Sequence, residues 1–399
     1  MDTVDDRTRR TGAEQTDERF RSGTSRRAFL KGGSAALVGG ALAGCSGGGG
    51  GKQTTTRTTG VPEKPDSITV RAWGGVWQES LKKSIGDPFT EDTGIDVTYD
   101  NTNIQVTANK IRTAVNQNRE PPVNVNWSIV AFVHREFRQG LAARLDPEVV
   151  THADQLRPMA HPSVEGNLPY IGLYAYTYAL AYNTETLKRV QGSSEPVQSW
   201  KTLWEDQYEK WIGVYNDPPG DGLYPVLAEL AGVDLGPADE MGPVWDLVRE
   251  LAPNIGFLGS DASIPQNLRE GEIAYAAGYL PNNLLQPIEE GAPLGWTIPE
   301  EGATVRMDCM YTPKGQSAPK RYWSQKFIDY ALRKENQERW MQGLKLPMFN
   351  KNVEPLSWMK GDPAFPTSQS EFDQLLQTDL DVYTRYSPTW FERFSGIVG

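Results

Sequence analysis

Ser67-Ile68-Thr69-Val70-Arg71-Ala72-Trp73-Gly74-Gly75 decides how the folded part of this chain is read. The residues up to Trp73 alternate between polar and apolar, the period of a strand, and the two glycines break it. Leu81, Ile85 and Phe89 then recur at every fourth position, which predicts a helix over 78–89. Thr93-Gly94 closes it, and Ile95-Asp96-Val97-Thr98-Tyr99 reads as a second strand. Strand, glycine turn, helix and strand make a βαβ unit with a parallel sheet. Such sheets bind ligands beyond the carboxyl ends of their strands, where Trp73-Gly74-Gly75 falls. The glycines allow close approach to backbone, and the tryptophan offers a flat face. A core tryptophan beside a plain turn fits the same residues.

Downstream the pattern repeats. Residues 105–118 read as a helix, 123–127 as a strand, and 131–139 as a helix closed by Gly140. Asn126-Trp127-Ser128 fits a glycosylation acceptor, a triplet common by chance. Tyr170, Tyr174, Tyr176, Tyr178 and Tyr182 stand at even spacings, so 171–183 reads as an extended strand with one aromatic face, suited to crossing between lobes. Ser199 can cap a helix carrying Trp200 and Trp204. A strand is expected over 211–215, with the polar loop 216–222 at its end. Further helices are expected over 224–231, 241–251, 263–270, 284–290, 322–332, 335–344 and 371–381, and strands over 272–276 and 304–311.

Upstream, residues 25–45 read SRRAFLKGGSAALVGGALAGC. Arg26-Arg27, one free position, and Phe29-Leu30-Lys31 match the twin-arginine export pattern. The apolar run that follows is far shorter than the roughly 20 residues needed to span a bilayer. Leu42-Ala43-Gly44-Cys45 resembles a lipoprotein processing box, whose cysteine becomes the lipidated first residue. The expected organisation is a signal over 1–44 and a flexible Gly/Thr tether over 45–65. A diacylated Cys45 would hold the protein on the outer face of the membrane, since two acyl chains give stable anchoring.

Of the 399 residues, enough remain for two ordinary domains, and a 38% hydrophobic composition supports a core. With lipid on Cys45, Cys309 has no disulfide partner. The net charge of −11 and the lack of a basic stripe argue against nucleic acid. Acidic excess favours cationic ligands modestly and also suits a salt-adapted surface. His134, His152 and His161 make no metal pair at helical spacing, and there is no Cys/His cluster. No nucleophile elbow, phosphate loop or dinucleotide fingerprint occurs, so no cofactor or catalytic motif is indicated. An Asp/Glu hydrolase pair is compatible with the many carboxylates, although nothing marks one. Aromatic and acidic residues at strand ends remain. A ring face attracts a cation, worth about 0.5–2 kcal/mol, and a carboxylate fixes an ammonium group by a charge-assisted hydrogen bond.

Several landmarks follow in a fixed order: Phe89 through Val97, Leu168-Pro169-Tyr170, Ser199 through Trp204 with Tyr208, Ala252 through Ile255, Glu270 through Ile273, Gly291-Ala292-Pro293, and Pro299 through Gly302 ahead of Met307-Asp308. In this order and spacing the chain, from about 68 to 350, resembles the polyamine-type (spermidine/putrescine) solute-binding receptors of ABC importers. The resemblance implies an α/β, two-lobe periplasmic-binding-protein-like fold of type II, with a ligand cleft between lobes joined by crossover strands. Crossings are implied near 176–183, 305–308 and 346–350. Lobe 1 would comprise 66–178 and 308–347, and lobe 2 183–304 and 348–399. A monomeric receptor would close by a hinge on a small solute, deliver it to a membrane permease, and do no chemistry.

Carried over by position, Trp73 falls on the family's first-strand tryptophan and Asp217 on a carboxylate that contacts a ligand amine. Tyr279 replaces a tryptophan, and Asp308 falls on the central aspartate that pairs with a ligand amino group. Other positions depart. Gly220 stands where a second acid is expected, with Asp221 adjacent. Val76 replaces a tyrosine, with Trp77 adjacent, and Leu346 replaces another. Arg306 replaces an aromatic residue. It would repel a polyamine, neutralise Asp308, or hold a ligand carboxylate or phosphate. The implied ligand-binding set is Trp73, Asp217, Tyr279, Arg306 and Asp308. A polyamine or related organic cation is the first ligand reading. An amino-acid-like or opine-like zwitterion, thiamine and a metal complex are the alternatives. A secreted carboxylate-pair hydrolase and a ligand-free adhesion lipoprotein are rivals from other classes.

Overall fold

The computed structural model describes residues 60–399. The signal and lipidation readings at Arg26, Arg27 and Cys45, and the tether up to residue 59, lie outside the described residues.

The opening βαβ unit forms as the alternation predicts. β1 (Ser67–Arg71) lies between β2 (Asp96–Asp100) and β3 (Val125–Ile129), parallel to both. Ile68 and Val70 are fully buried, as are Leu81 and Ile85 of the intervening helix, with Phe89 beside them. That helix runs from Gly75 to Thr93 through a π-helical turn at Lys82–Gly86. A Cβ on Gly86 would stand 1.9 Å from the Tyr99 hydroxyl, so the glycine is what lets β2 approach.

A second parallel group has the same form: β5 (Ile212–Tyr215) lies between β6 (Ile255–Gly259) and β7 (Tyr275–Tyr279). Two long antiparallel strands join the groups, the 13-residue β4 (Ile171–Asn183) and β9 (Thr304–Tyr311). The sheet order is β2-β1-β3-β9-β4-β7-β5-β6, with β8 (Leu294–Thr297) also on β4. Apolar residues of β1, β3 and the first half of β4 build one core with residues 303–375. The second half of β4 builds separate cores with β5, β7 and the C-terminal helix. This is the two-lobe α/β arrangement, and β4 and β9 are its crossovers.

The structure differs from expectation in four places. The tether ends before 65: Pro62 accepts from the Trp323 indole, and Lys64 bonds the Thr93 carbonyl, so this segment already binds the first lobe. Residues 346–350 do not cross; they run beside β4, where Ala175 donates to Pro347, and Phe349 is buried in the first core. The tail 348–399 is divided. Met359, Phe365, Phe372 and Leu375 join the first core, and the chain passes to the second near Leu376, which is bonded to Ala303 and Val305. The last helix is Leu380–Val398, 19 residues long, not 371–381. It buries Tyr383, Ser387, Trp390 and Phe394, a helical spacing that Pro388 interrupts in the sequence. Asn126 is 2% exposed, which excludes a glycan on it in the folded protein. No helix among the described residues is long and apolar enough to cross a membrane.

Candidate ligand-binding site

β4 and β9 place alternate side chains of one face between the lobes. Tyr174 lies opposite Asp308, Tyr176 opposite Arg306 and Tyr178 opposite Thr304. Asp308 is 5% exposed. Its Oδ2 accepts from three donors: the Tyr174 hydroxyl at 2.6 Å, the Trp73 indole at 2.8 Å and the Trp127 indole at 3.1 Å. Among the described residues its Oδ1 accepts from no donor. Burial pushes the Asp308 carboxyl above the usual carboxylate range, while the Tyr174 and Trp73 donors and the Arg71 charge oppose the rise. Arg71 is buried behind, donating to the carbonyls of Trp127 and Thr102, with its guanidinium 4.0 Å over the Trp73 ring. Burial lowers its pKa to about 10, against the pull of Asp308.

Arg306 does not pair with Asp308. It reaches Asp221 at 3.8 Å, lies 4.8 Å over the Tyr383 ring and donates to the Thr378 hydroxyl at 3.1 Å. Burial pulls its pKa down most strongly, but Asp221 together with Tyr383, Tyr178 and Tyr176 outweighs burial, so the net direction is up. Asp221 also accepts from the hydroxyls of Tyr178 at 3.0 Å and Tyr383 at 2.8 Å. Arg306 Nη2 is buried without a hydrogen-bond acceptor. Asp221, the neighbour of Gly220, therefore stands against the arginine and balances its charge.

Tyr279 is fully buried; its hydroxyl donates to the Asp261 carbonyl at 2.7 Å, and its ring lies 6.1 Å from Tyr215. Asp217 is exposed at the end of β5. The protein around Asp261 and the nearby Asp217 charge push the Asp261 carboxyl up to about 6. Tyr176, Tyr178, Tyr215 and Tyr279 form a file of rings, each 5.9 to 6.1 Å from the next. This file leads from the Asp308 side to the Asp217 side.

Trp73 and Asp308 are therefore in direct contact, Arg306 sits one pleat away on the same face, and Tyr279 and Asp217 stand at the far end of the tyrosine file. Trp127, Asp221, Asp261 and Tyr383 join the site without having been picked out as candidates. Asp221 was signalled by its place beside Gly220; Tyr383 was not signalled, because Pro388 breaks the period of the helix that carries it. Asp308, Arg306 and Asp221 are each 5% exposed. Two surface cavities, of about 770 and 440 Å³, lie elsewhere and include none of the five expected residues. Among the described residues no cluster of three or more His, Cys, Asp or Glu is arranged to hold a metal.

Residues 84–367 match the family model described as bacterial extracellular solute-binding protein. The putrescine-binding periplasmic protein of Escherichia coli is 25% identical over 276 residues, 64% of this chain and 72% of its own length. The gamma-aminobutyric acid-binding protein of Pseudomonas aeruginosa is 22% identical over 349 residues, 82% of this chain and 90% of its own. The structure of a spermidine/putrescine ABC transporter substrate-binding protein from Streptococcus pneumoniae superposes with a TM-score of 0.66 at 19% identity, covering 84% of this chain and 97% of that one. The matched region begins after β1 and takes in β2, β3, the second parallel group and both crossover strands, and the chain belongs to the bacterial extracellular solute-binding protein family, the substrate-binding proteins of ABC importers.

Proposed function

We propose that this receptor captures a small amine-bearing solute, a polyamine or related organic cation first, and delivers it to a membrane permease without altering it. The observation that carries the reading is the asymmetry of Asp308. Three donors hold Oδ2, which fixes the carboxylate, and Oδ1 is left to accept from a ligand ammonium. Trp73 and the tyrosine file would wall the hydrocarbon part of the ligand, and Asp217 with Asp261 would meet a second amine. Because Asp221 neutralises Arg306, the arginine is a weaker barrier to a cation than its sequence position implies.

A second reading is favoured by one atom. Arg306 Nη2 is buried and lacks an acceptor, so an ω-amino acid could place its carboxylate there and its amine on Asp308. A thermal-shift panel of putrescine, spermidine, gamma-aminobutyrate, thiamine and an iron complex separates the two. A ligand at 100 times its Kd adds about 2.7 kcal/mol of stability. Shifts with putrescine or spermidine support the first reading, and a shift with gamma-aminobutyrate alone supports the second. No shift with any of them rejects both and returns weight to a hydrolase using Asp217 and Asp261.

The export reading completes the proposal: twin-arginine translocation through Arg26-Arg27, lipidation of Cys45, and a monomer on the outer membrane face. Replacing both arginines by lysine should keep the protein inside the cell. Cys45→Ser should abolish labelling by a fatty-acid analogue, and persistent labelling would reject the anchor.

A further inference from the structure

Beyond the cleft, the two lobes meet a second time through helix Val130–Arg138 of the first lobe and the first turn of helix Leu380–Val398 of the second. Asp381 is the centre of this contact. It accepts from His134 Nε2 at 2.8 Å and from Arg138 Nε at 2.8 Å, and Arg138 Nη2 bonds its other oxygen. Behind the histidine, Nδ1 meets the Tyr170 hydroxyl at 3.0 Å, which orients the ring. A single imidazole proton on Nε2 satisfies both contacts. The other charged neighbour is Glu165, 3.0 Å from Arg138. Asp379 caps the helix by accepting from the backbone amides of Asp381 and Val382, so the turn bearing Asp381 is fixed. Two residues on, the Tyr383 hydroxyl holds Asp221, and its ring lies beneath Arg306.

We infer that the Asp381–His134–Arg138 cluster is a clasp that holds the lobes closed, with Tyr383 on the same helical turn linking the clasp to the Arg306–Asp221 pair in the cleft. Opening the lobes about β4 and β9 carries Leu380–Val398 away from Val130–Arg138, so the Asp381 bonds must break before a solute can enter or leave. The clasp involves no ligand atom and acts whichever solute is bound.

The test uses the full chain with Cys45→Ser and dyes at Glu91→Cys and Lys201→Cys, exposed positions on opposite lobes; Cys309 is buried. Single-molecule energy transfer is recorded without ligand. Wild type should be mainly at the short distance. Asp381→Asn and Arg138→Gln should each raise the open-to-closed ratio about one-and-a-half- to fivefold, the range for partly exposed ion pairs. Asp381→Glu, which keeps the charge, should stay closer to wild type. Unchanged distributions in Asp381→Asn and Arg138→Gln overturn the clasp. So does an Asp381→Glu protein as open as Asp381→Asn, because packing rather than the ion pair would then hold the lobes.

Discussion

Trp73 and Asp308 are joined by a 2.8 Å hydrogen bond although 235 residues separate them in the chain. The bond ties the end of β1 to the crossover β9, so the wall of the cleft and its carboxylate are set as one piece. Trp73→Phe keeps the ring and removes only the N–H. A hydrogen bond to a charged group contributes about 1.5–3 kcal/mol. The variant should therefore fold and bind amines about tenfold or more weakly, read by calorimetric titration against wild type.

Asp308 also sets a pH dependence. Its folded pKa is raised by burial, so the ionised form is disfavoured in the ligand-free protein. Its contribution to stability is present below the unfolded pKa and is lost as pH rises through the folded value. The difference in urea midpoint between wild type and Asp308→Asn should accordingly shift towards wild type as pH falls. Amine affinity should move the opposite way, falling with pH from above the ordinary carboxylate range, because only the carboxylate pairs with an ammonium.

Arg306 and Asp221 form a buried pair, and removing one member of such a pair costs about 3–5 kcal/mol by leaving the other charge uncompensated. Arg306→Met should destabilise by that order in denaturant titration. The double variant Arg306→Met/Asp221→Asn should recover part of the loss. Equal instability in single and double variants would mean that the arginine matters through Thr378 and Tyr383 rather than through Asp221.

Gly222 bears on the same cluster. Its φ is +86°, and a Cβ there would stand 2.4 Å from the Tyr178 ring, whose hydroxyl holds Asp221. Gly222→Ala should cost about 1–3 kcal/mol from backbone strain alone and displace Tyr178. Thermal unfolding reads the first effect, and the ultraviolet difference spectrum of tyrosine the second.

The βαβ opening was legible because Ile68, Val70, Leu81, Ile85 and Phe89 obey the strand and helix periods. The tyrosine strand was legible for the same reason, since alternate residues share one face. The division of the tail was not. Residues 353–375 form mostly short turns, whose burial against one lobe or the other depends on tertiary packing and leaves no period to read. The cleft was partly legible: the resemblance singled out Trp73 and Asp308, which the fold joins by a hydrogen bond, whereas the partner of Arg306 is decided by where the 216–222 loop turns. The resemblance marked an acid near Gly220, but only the fold shows Asp221 reaching Tyr178, Tyr383 and Arg306. Tyr383 was hidden because Pro388 disrupts the pattern of the helix that carries it.

The central claim is that Asp308 receives a ligand amine. The direct measurement is a pair of calorimetric titrations with putrescine, one on wild type and one on Asp308→Asn, at neutral pH. The account predicts saturable binding to wild type and at least a tenfold loss in the variant, with both proteins folded by circular dichroism. Equal binding by the folded Asp308→Asn protein, or no binding of putrescine to wild type, would contradict it.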